Sequence, residues 1–272
     1  MRQLRKQCDI QYPNDVTDND VIYWRRNVVD ITIKPVTWNS YIRHLRAVFK
    51  FGIENNLLTQ EKNPFDDKAI ITGKGRRKTI SINNLALIEN YLQQEDTPPI
   101  LKPAWFITVL VATFRYSAIR RSQLIKLKIE DIDLSKRVIC IMPNINKNHE
   151  YHEIPISHKL YPHITRLLTE LKRMNQSQTM QLFNLNLFCS AVKNKGKLMT
   201  KNQLDHLFKV LSNEIGFLVS PHRFRHTAAT NLMKDPNNLY VTKELLGHKD
   251  IKVTLSYIEY DVEMIRDRID VL

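Results

Sequence analysis

The sequence predicts a mainly helical protein of the α+β class, with a helical N-terminal domain and a larger, mostly helical C-terminal domain that contains a small β-sheet. Three observations support this prediction. Apolar residues recur with helical periodicity through most of the 272 residues, two period-two segments interrupt that pattern near the middle, and a segment rich in glycine and cations divides the chain. We assign residues 1–72 to the first domain, 73–78 to a basic linker and 79–272 to the second domain.

The composition is that of a folded protein, with 43% apolar and 25% charged residues. No apolar stretch approaches the roughly 20 residues that a membrane-spanning helix needs, and the N-terminus lacks the apolar segment of a secretory signal. We therefore expect a cytoplasmic protein without membrane partners. The three cysteines are widely spaced and form no CxxC pattern, so they predict neither disulfides nor a zinc site. No metal or other cofactor is expected.

The charge balance favours a polyanionic partner. Lys and Arg outnumber Asp and Glu by 41 to 28, which gives a formal net charge of +13. Nucleic acid is the first candidate for such a partner. A protein that binds membrane surfaces, or one with an ordinary solvated surface, would have a similar balance, so the distribution of the charges has to decide.

One long helix is predicted in the first domain. Between positions 36 and 53 apolar residues recur at three- and four-residue steps and predict a buried face: Trp38, Ile42, Leu45, Phe49 and Ile53. Three cations recur at the same period on another side: Arg43, Arg46 and Lys50. This second face is either a row of DNA contacts or an ordinary solvated surface, and the sequence does not separate the two.

The linker combines two glycines with four cations, Lys74, Arg76, Arg77 and Lys78. A flexible segment with this charge suits contact with a phosphate backbone. Its Gly-Lys pair lacks the GxxxxGK[ST] spacing of a nucleotide-binding loop, so ATP is not implied.

Helices and one hairpin are predicted in the second domain. Helical periodicity marks seven segments: 81–93, 102–117, 157–173, 201–215, 221–234, 241–246 and 251–269. Period-two segments at 137–142 and 153–156, on either side of a turn at 144–148, predict a β-hairpin.

Several residues of the second domain are suited to anion chemistry. Ser220 and Pro221 begin a helix and place His222 and Arg225 one turn apart, at a helix end that favours a phosphate. Downstream, the sequence LGH at 246–248 ends another helix, and Tyr257 follows nine residues after His248. Taken singly, each residue has a plainer interpretation as a surface or core residue.

The combination of motifs resembles the tyrosine recombinases, also called the phage integrase family. Residues 222–230 read HRFRHTAAT, and with LGH and Tyr257 they are similar to the family's second conserved box. Residues 117–124, SAIRRSQL, followed by Asp131-Ile132-Asp133, resemble the first box, which reads TGLRxxEL in the family. Lys147, eight residues before Pro155, matches the family's hairpin lysine, and residues 37–64 resemble its helical core-binding domain. The resemblance covers nearly the whole chain.

This resemblance implies a catalytic set of six residues: Arg120, Lys147, His222, Arg225, His248 and Tyr257. Tyr257 is the implied nucleophile, which attacks a phosphodiester and becomes a 3′-phosphotyrosine. The two arginines stabilise the transition state without a metal, His222 accepts a proton, and Lys147 protonates the leaving 5′ oxygen. The covalent bond conserves the energy of the cleaved linkage, so strand exchange through a Holliday junction needs no ATP.

The family resemblance also implies partners. These are double-stranded DNA with a specific recombination site, held between the two domains, three further copies of the chain in a homotetramer on DNA, and accessory proteins that bend DNA or set direction. The resemblance therefore places the protein at the nucleoid. Residues 262–272, with an apolar face of Met264, Ile265, Ile269 and Leu272, are either a tail that docks on a neighbouring copy or an internal packing helix.

Three departures from the family pattern leave alternatives open. Ala118 replaces a glycine, Gln123 replaces an acidic residue, and His152 replaces an arginine that contacts the DNA backbone. The first two motivate an alternative function, a DNA-binding or architectural protein of the same fold with impaired catalysis. A type IB topoisomerase-like enzyme is a second alternative, although the core-binding helices and the LGH motif favour a recombinase.

Overall fold

The computed structural model describes residues 2–73, 79–191, 196–258 and 269, with side chains from Leu4 onward. The chain divides into two compact units, Met1–Arg76 and Arg77–Leu272. The described residues are mainly helical and contain one three-stranded antiparallel sheet, which confirms the predicted fold class. No helix within these ranges is long and apolar enough to cross a membrane.

In its described residues, the first unit contains three α-helices joined by turns and loops. Its helices are α1 (Arg2–Cys8), α2 (Asp18–Val28) and α3 (Pro35–Glu54). A reciprocal cap begins α2, because the Thr17 hydroxyl accepts a hydrogen bond from the Asp20 amide and the Asp20 carboxylate accepts one from the Thr17 amide. Proline at the first position begins α3, where its missing N–H costs no hydrogen bond.

Aromatic side chains form much of the core of the first unit. The face of α3 that was predicted to be buried does point inward, with Trp38, Ile42 and Phe49 almost fully covered. Trp24 of α2 meets Trp38 edge-on with ring centroids 4.8 Å apart, and Phe49 meets Phe65 at the same distance. These contacts tie the segment after α3 to the helices.

The second unit is built around α5. The helices of this unit are α4 (Ile82–Leu92), α5 (Ala104–Ser117), α6 (Arg121–Leu124), α7 (Tyr161–Arg173), α8 (Leu185–Phe188), α9 (Lys201–Ile215), α10 (Pro221–Leu232), α11 (Leu239–Leu246) and α12 (Ile251–Leu255). Both α7 and α10 pack on α5, whose side chains are buried on nearly every side. The single-turn helices α6 and α8 were not predicted, since four residues are too few to show a period.

The sheet contains β1 (Ile132–Asp133), β2 (Val138–Ile141) and β3 (His152–Pro155), in that order and all antiparallel. The predicted hairpin is confirmed as β2 and β3, in which Ile139 lies opposite Ile154 and both side chains enter the core. Strand β1 was not predicted, because two residues carry no alternation. The β2–β3 loop, residues 142–151, carries Lys147.

The helix predicted from residue 251 ends early, at Leu255. Tyr257 therefore lies in a turn after α12, and the prediction that it lies inside the helix was wrong. The cause is local: the Tyr257 and Ile258 amides donate to the Thr254 and Leu255 carbonyls at 2.9 and 3.1 Å, in the tighter i to i+3 pattern of a last turn. The predicted tail beyond residue 258 falls outside the described residues, except for Ile269, which is exposed.

Candidate active site

Two arginines from different segments of the chain reach one cavity of about 630 Å³. α5 ends where Ala118 adopts a left-handed φ of 50°, and Arg120 follows directly before α6. Arg225 projects from the second turn of α10, whose capping residue Ser220 accepts a hydrogen bond from the Arg223 amide. Ends of α5 and α10 thus bring together residues that are far apart in the sequence.

Main-chain carbonyls hold both guanidinium groups. Arg225 donates from Nη1 to the Ala118 carbonyl at 2.8 Å and from Nη2 to the Leu246 carbonyl at 2.6 Å. Arg120 donates from Nη2 to the Gly247 carbonyl at 3.1 Å. Across the described ranges, no carboxylate forms a salt bridge with either group. Carbonyls orient a guanidinium without neutralising it, so the cavity keeps two positive charges.

Burial sets the electrostatics of this pair. Arg225 is 7% exposed, and burial followed by the charge of Arg120 lowers the pKa of Arg225 to about 9, which leaves it charged at neutral pH. Burial also lowers the pKa of Arg120, while nearby Tyr257 opposes the shift on both arginines. Arg120 Nη1 is buried and has no hydrogen-bond partner among the described residues. A buried donor without a partner is unusual in a folded protein, and this one can still donate a hydrogen bond to an anion.

Tyr257 lines the same cavity and is 7% exposed. Its ring lies 5.1 Å from the ring of His226 and 6.2 Å from that of His248, nearly parallel to the latter. Its backbone is fixed by the turn after α12, and the side chain packs in a small apolar cluster with Ala118 and Leu246. The implied nucleophile is thus held next to both arginines.

His248 follows the left-handed Gly247 at the end of α11 and links the arginines to α12. Its Nε2 lies 3.2 Å from Arg225 Nη2, and its Nδ1 lies 3.0 Å from the Thr254 hydroxyl. A guanidinium can only donate, so Nε2 is assigned as the acceptor and Nδ1 as the protonated nitrogen. Burial, followed by the charges of Arg225, Arg120 and Lys243, lowers the pKa of His248 to about 4. The imidazole is therefore neutral at pH 7.

His222 stands in the first turn of α10, is exposed, and lines the cavity. Its Nε2 lies 2.7 Å from Nε2 of His226, one turn further along the helix, so the two rings share a hydrogen bond. His226 has no role predicted from the sequence, although it belongs to the HRFRHTAAT motif. Its i+4 spacing from His222 is the signal that would have placed it on the same helix face.

Lys147 is exposed in the β2–β3 loop and does not line the cavity. Two contacts attach its loop to the LGH motif and to the residue that follows it. Asn148 donates from Nδ2 to the Gly247 carbonyl at 3.1 Å, and Lys249 pairs with Glu150 at 2.7 Å.

The residues that depart from the family pattern lie behind the arginines that line the cavity. Gln123 is buried, and its Oε1 accepts a hydrogen bond from the Arg120 amide at 3.0 Å. The His152 ring packs beneath Gly247, where an added Cβ would lie 3.5 Å from it. Burial lowers the pKa of His152, and a hydrogen bond with the Leu245 main chain partly opposes this shift. His152 thus stands beside Arg120, a place the sequence did not indicate.

The predicted DNA contacts of the first unit differ in their partners. Arg43 is exposed. Arg46 donates two hydrogen bonds to the Phe65 carbonyl, at 3.2 and 3.3 Å, and pairs with Asp66 at 3.1 Å. Lys50 pairs with Glu54 at 3.6 Å. The four linker cations fall outside the described residues. In the ranges that are described, no three His, Cys, Asp or Glu side chains cluster as metal ligands would.

Comparison with known sequences places this site in a family context. The model of the phage integrase family matches residues 103–264. The chain is 34% identical over 261 residues to the putative tyrosine recombinases XerC of Pseudomonas syringae and of Pseudomonas aeruginosa. These alignments cover 93% of this chain but 54% and 61% of the two relatives, so the chain spans little more than half of their length. Tyrosine recombinase XerA of Thermococcus kodakarensis is 27% identical over 232 residues, which cover 84% of this chain and 72% of XerA.

Comparison with solved structures supports the fold. The Tn1549 transposon integrase in complex with circular intermediate DNA aligns with a TM-score of 0.72 and 20% identity, over 98% of this chain and 90% of the integrase. The XerH recombinase bound to its palindromic difH substrate in a post-cleavage complex aligns with a TM-score of 0.69 and 15% identity, over 98% of this chain and 74% of XerH. At these identities the likeness concerns the fold alone.

Proposed function

The chain belongs to the phage integrase family, and we propose that it cleaves and rejoins DNA at a specific site through a covalent bond between Tyr257 and a 3′ phosphate. One observation carries this proposal. Tyr257, Arg120 and Arg225 line one cavity, in which the guanidiniums are held by carbonyls and keep their charge. A tyrosine beside two unneutralised arginines suits attack on a phosphodiester, which resists nucleophiles because it is itself an anion.

Three residues take part in proton and bond transfer during cleavage. The Tyr257 oxygen forms a bond to the scissile phosphorus, and its proton passes to His222. The bond from phosphorus to the 5′ oxygen breaks, and its electron pair stays on that oxygen. The 5′ oxygen then takes a proton from the ammonium group of Lys147. The products are a 3′-phosphotyrosine and a free 5′ hydroxyl.

The arginines and His248 act on the phosphate itself. Arg120 and Arg225 each bind a non-bridging oxygen and stabilise the extra charge of the pentacoordinate transition state. This is the role that a divalent ion has in many phosphoryl-transfer sites, so the proposed chemistry needs no metal. For His248 to donate to the phosphate, its Nε2 must gain a proton and give up the hydrogen bond from Arg225; a phosphate anion beside the ring favours that protonated form.

Rejoining reverses the same chemistry. A 5′ hydroxyl from a second DNA strand attacks the phosphotyrosine, and paired exchanges proceed through a Holliday junction without ATP. We propose double-stranded DNA with a specific recombination site as the substrate and a homotetramer on DNA as the active assembly. Accessory proteins that bend DNA or set direction are further proposed partners, and the place of action is the nucleoid. The net charge of +13 supports a DNA partner.

Ala118 and Gln123, the two departures that motivate the architectural alternative, both keep contacts that orient the arginines. Ala118 supplies a carbonyl to Arg225, and Gln123 accepts from the Arg120 amide. Both contacts involve groups that the replacement retains, so a DNA-binding protein without catalysis is the weaker proposal. A type IB topoisomerase-like enzyme would form the same adduct, and only strand exchange between two sites separates it from a recombinase.

The test is adduct formation on DNA that the protein itself selects. Fragments that the Tyr257→Phe variant binds in cells are sequenced, labelled, nicked near the cleavage position and incubated with protein in excess EDTA. We expect the parental protein to form an adduct that survives denaturing electrophoresis. Tyr257→Phe should form none, while its affinity stays within a few-fold, because one hydroxyl contributes little to a large interface.

Tyr260→Phe is the matched control, since Tyr260 lies three residues further on and is the rival nucleophile. The assignment fails if Tyr260→Phe is inactive and Tyr257→Phe still forms an adduct. Binding without any adduct would support the architectural alternative, and a strict need for magnesium would contradict the arginine mechanism. Exchange between two labelled sites, in place of relaxation of supercoiled DNA alone, separates the recombinase from a topoisomerase.

A further inference from the structure

Lys147 lies between two asparagines, and both make hydrogen bonds that leave the lysine exposed. Asn146 is 5% exposed, whereas Asn148 is half-buried. The sequence predicts no role for either of them, because they have the pattern of ordinary turn residues. Their hydrogen-bond partners indicate that both asparagines connect the loop to Arg120.

Asn146 connects the β2–β3 loop to the main chain of Arg120. Its Nδ2 donates to the Glu150 carbonyl at 2.8 Å, which closes the loop across Lys147 and fixes the orientation of the amide. Its Oδ1 accepts from Gln123 Nε2 at 3.3 Å, and Gln123 Oε1 in turn accepts from the Arg120 amide at 3.0 Å. An unbroken chain of neutral hydrogen bonds thus runs from Arg120 to the loop.

Asn148 connects the same loop to the side chain of Arg120. Its Nδ2 donates to the Gly247 carbonyl at 3.1 Å, and Arg120 Nη2 donates to that same oxygen at 3.1 Å. The two asparagines on either side of Lys147 therefore bind the same two groups that hold Arg120. These are the Gln123 side chain and the Gly247 carbonyl.

The burial of these amides argues for a positioning role. Gln123 is 1% exposed, and an amide buried at this depth costs free energy unless it is hydrogen-bonded. Apolar side chains would fill the same space without that cost, but they impose no directional constraint. Hydrogen-bonded amides fix a specific geometry of loop and helix instead.

We propose that Asn146 and Asn148 are positioning residues that fix the lysine-bearing loop to Arg120, so that the proton donor and the phosphate-binding guanidinium are placed as one unit. The inference rests on the proposed function, because it takes Lys147 as the donor of the proton to the 5′ oxygen. Both asparagines then act through Lys147 and need not touch DNA.

The experiment compares two DNA substrates in single-turnover adduct formation. One is ordinary nicked DNA, and the other carries sulfur in place of the scissile 5′ bridging oxygen. A thiolate leaves without taking a proton, so a defect confined to proton donation disappears on the sulfur substrate. The variants are Asn146→Ala, Asn148→Ala and Lys147→Ala, with Asn144→Ala, an exposed residue of the same loop, as the matched control.

We expect Lys147→Ala to slow adduct formation on ordinary DNA by about 100-fold or more and the asparagine variants by roughly tenfold or more, with near-parental rates on sulfur DNA. Asn144→Ala should react at the parental rate on both. The double variant Lys147→Ala/Asn148→Ala should be no slower than Lys147→Ala alone, because residues that act through one group are not additive.

Equal slowing of the asparagine variants on both substrates would overturn the inference, since it would mean that they act on Arg120 or on folding. Parental rates on ordinary DNA would overturn it too. Asn148→Ala keeps the test decisive if the more buried Asn146→Ala fails to fold. Failure of the proposed function gives a different result, in which the parental protein forms no adduct on either DNA.

Discussion

Arg46 of the first unit and Arg225 of the second both bind main-chain carbonyls, yet their remaining partners differ. Arg46 holds the Phe65 carbonyl and pairs with the carboxylate of Asp66. Arg225 holds the Ala118 and Leu246 carbonyls, and its third partner is the neutral ring of His248.

Under the proposed function, this difference corresponds to one between structural and functional charge. Arg46 is neutralised locally, and its bonds fasten the segment after α3 onto that helix. Arg225 is oriented but not neutralised, so it stays available to a phosphate. The charges that add up to +13 are therefore not equally available to a DNA partner. Substitution of Arg46 and substitution of Arg225 should accordingly affect different properties of the protein.

The largest effect is expected at the arginines of the site. Arg120→Ala and Arg225→Ala should each lower the single-turnover rate of adduct formation by about 100-fold or more, as for loss of an oxyanion donor, with a smaller effect on affinity. Arg46→Ala should instead lower the free energy of unfolding by about 1 kcal/mol, because two hydrogen bonds and a partly exposed ion pair are removed. Urea unfolding and quenched-flow electrophoresis measure the two quantities on the same proteins.

The distinction between a structural Arg46 and a functional Arg225 is contradicted if Arg46→Ala slows the chemical step as much as Arg225→Ala does. It also breaks if Arg225→Ala loses only stability. Arg225→Lys sharpens it further, because a lysine keeps the charge but lacks the planar fork that reaches two carbonyls and a phosphate.

A smaller effect, on binding alone, is expected at the linker. Neutralising Arg76, Arg77 and Lys78 together should weaken binding to every DNA sequence and flatten the salt dependence, by about 0.9 in the log-log slope for each phosphate that is no longer neutralised. Binding isotherms at several salt concentrations measure the slope. Lys50→Ala is the comparison, and we expect it to change the slope less because its cation is already paired with Glu54. If the linker variant keeps the parental slope, the linker only connects the two units and does not contact the DNA backbone.

Acid sensitivity should follow from the neutral His248. Burial and Arg225 lower its pKa from 6.5 to about 4. Above pH 6.5 the imidazole is neutral whether the chain is folded or not, so it adds no pH dependence there. Between 6.5 and 4 the unfolded chain binds a proton that the folded chain does not, and the free energy of unfolding falls as the pH falls.

Unfolding in urea at pH 7.5, 6 and 5 tests this dependence on pH. His248→Gln should flatten the decrease relative to the parental protein, measured in the same titrations. An unchanged decrease in the His248 variant would show that the acid sensitivity comes from other groups, among which His152 also has a lowered pKa.

Most long elements were predictable because burial imposes a period on them. The face of α3, the capped start of α10 and the β2–β3 hairpin all follow from local patterns. Elements of two to four residues, such as β1 and α6, carry no period. The end of α12 depends on hydrogen bonds in the turn at Tyr257, which no composition rule indicates.

The site was predictable in its residue types but not in its connections. Motif spacing singled out Arg120, Arg225, His222, His248 and Tyr257, which line one cavity in the structure, since each motif is local in the sequence. The partners that orient them come from distant segments: Arg225 binds a carbonyl 107 residues away, and Asn148 binds one 99 residues away. Only the folded chain brings such carbonyls close, so the roles that we propose for Asn146 and Asn148, and the place of His152 beside Arg120, could not be predicted.

The smallest effect is expected at Ala118, where two opposing terms nearly cancel. Its φ of 50° costs an L-residue about 1–2 kcal/mol, which a glycine would not incur. Glycine in turn loses roughly 0.5–1 kcal/mol of chain entropy and about 0.8 kcal/mol for the buried methyl group. Ala118→Gly should therefore change the free energy of unfolding by less than about 1 kcal/mol in urea titrations.

The same variant tests whether Ala118 impairs catalysis. The carbonyl that Arg225 binds belongs to the main chain and keeps its place in either residue, so we expect an adduct rate within a few-fold of the parental rate. Ala118→Val is the contrasting variant, because a branched side chain at positive φ in a fully buried position should destabilise the protein by about 2 kcal/mol or more. A tenfold faster rate of adduct formation in Ala118→Gly would mean that alanine distorts the position of Arg225. Arg225 would then be a functional arginine whose activity is partly impaired, in contrast to the fully structural Arg46.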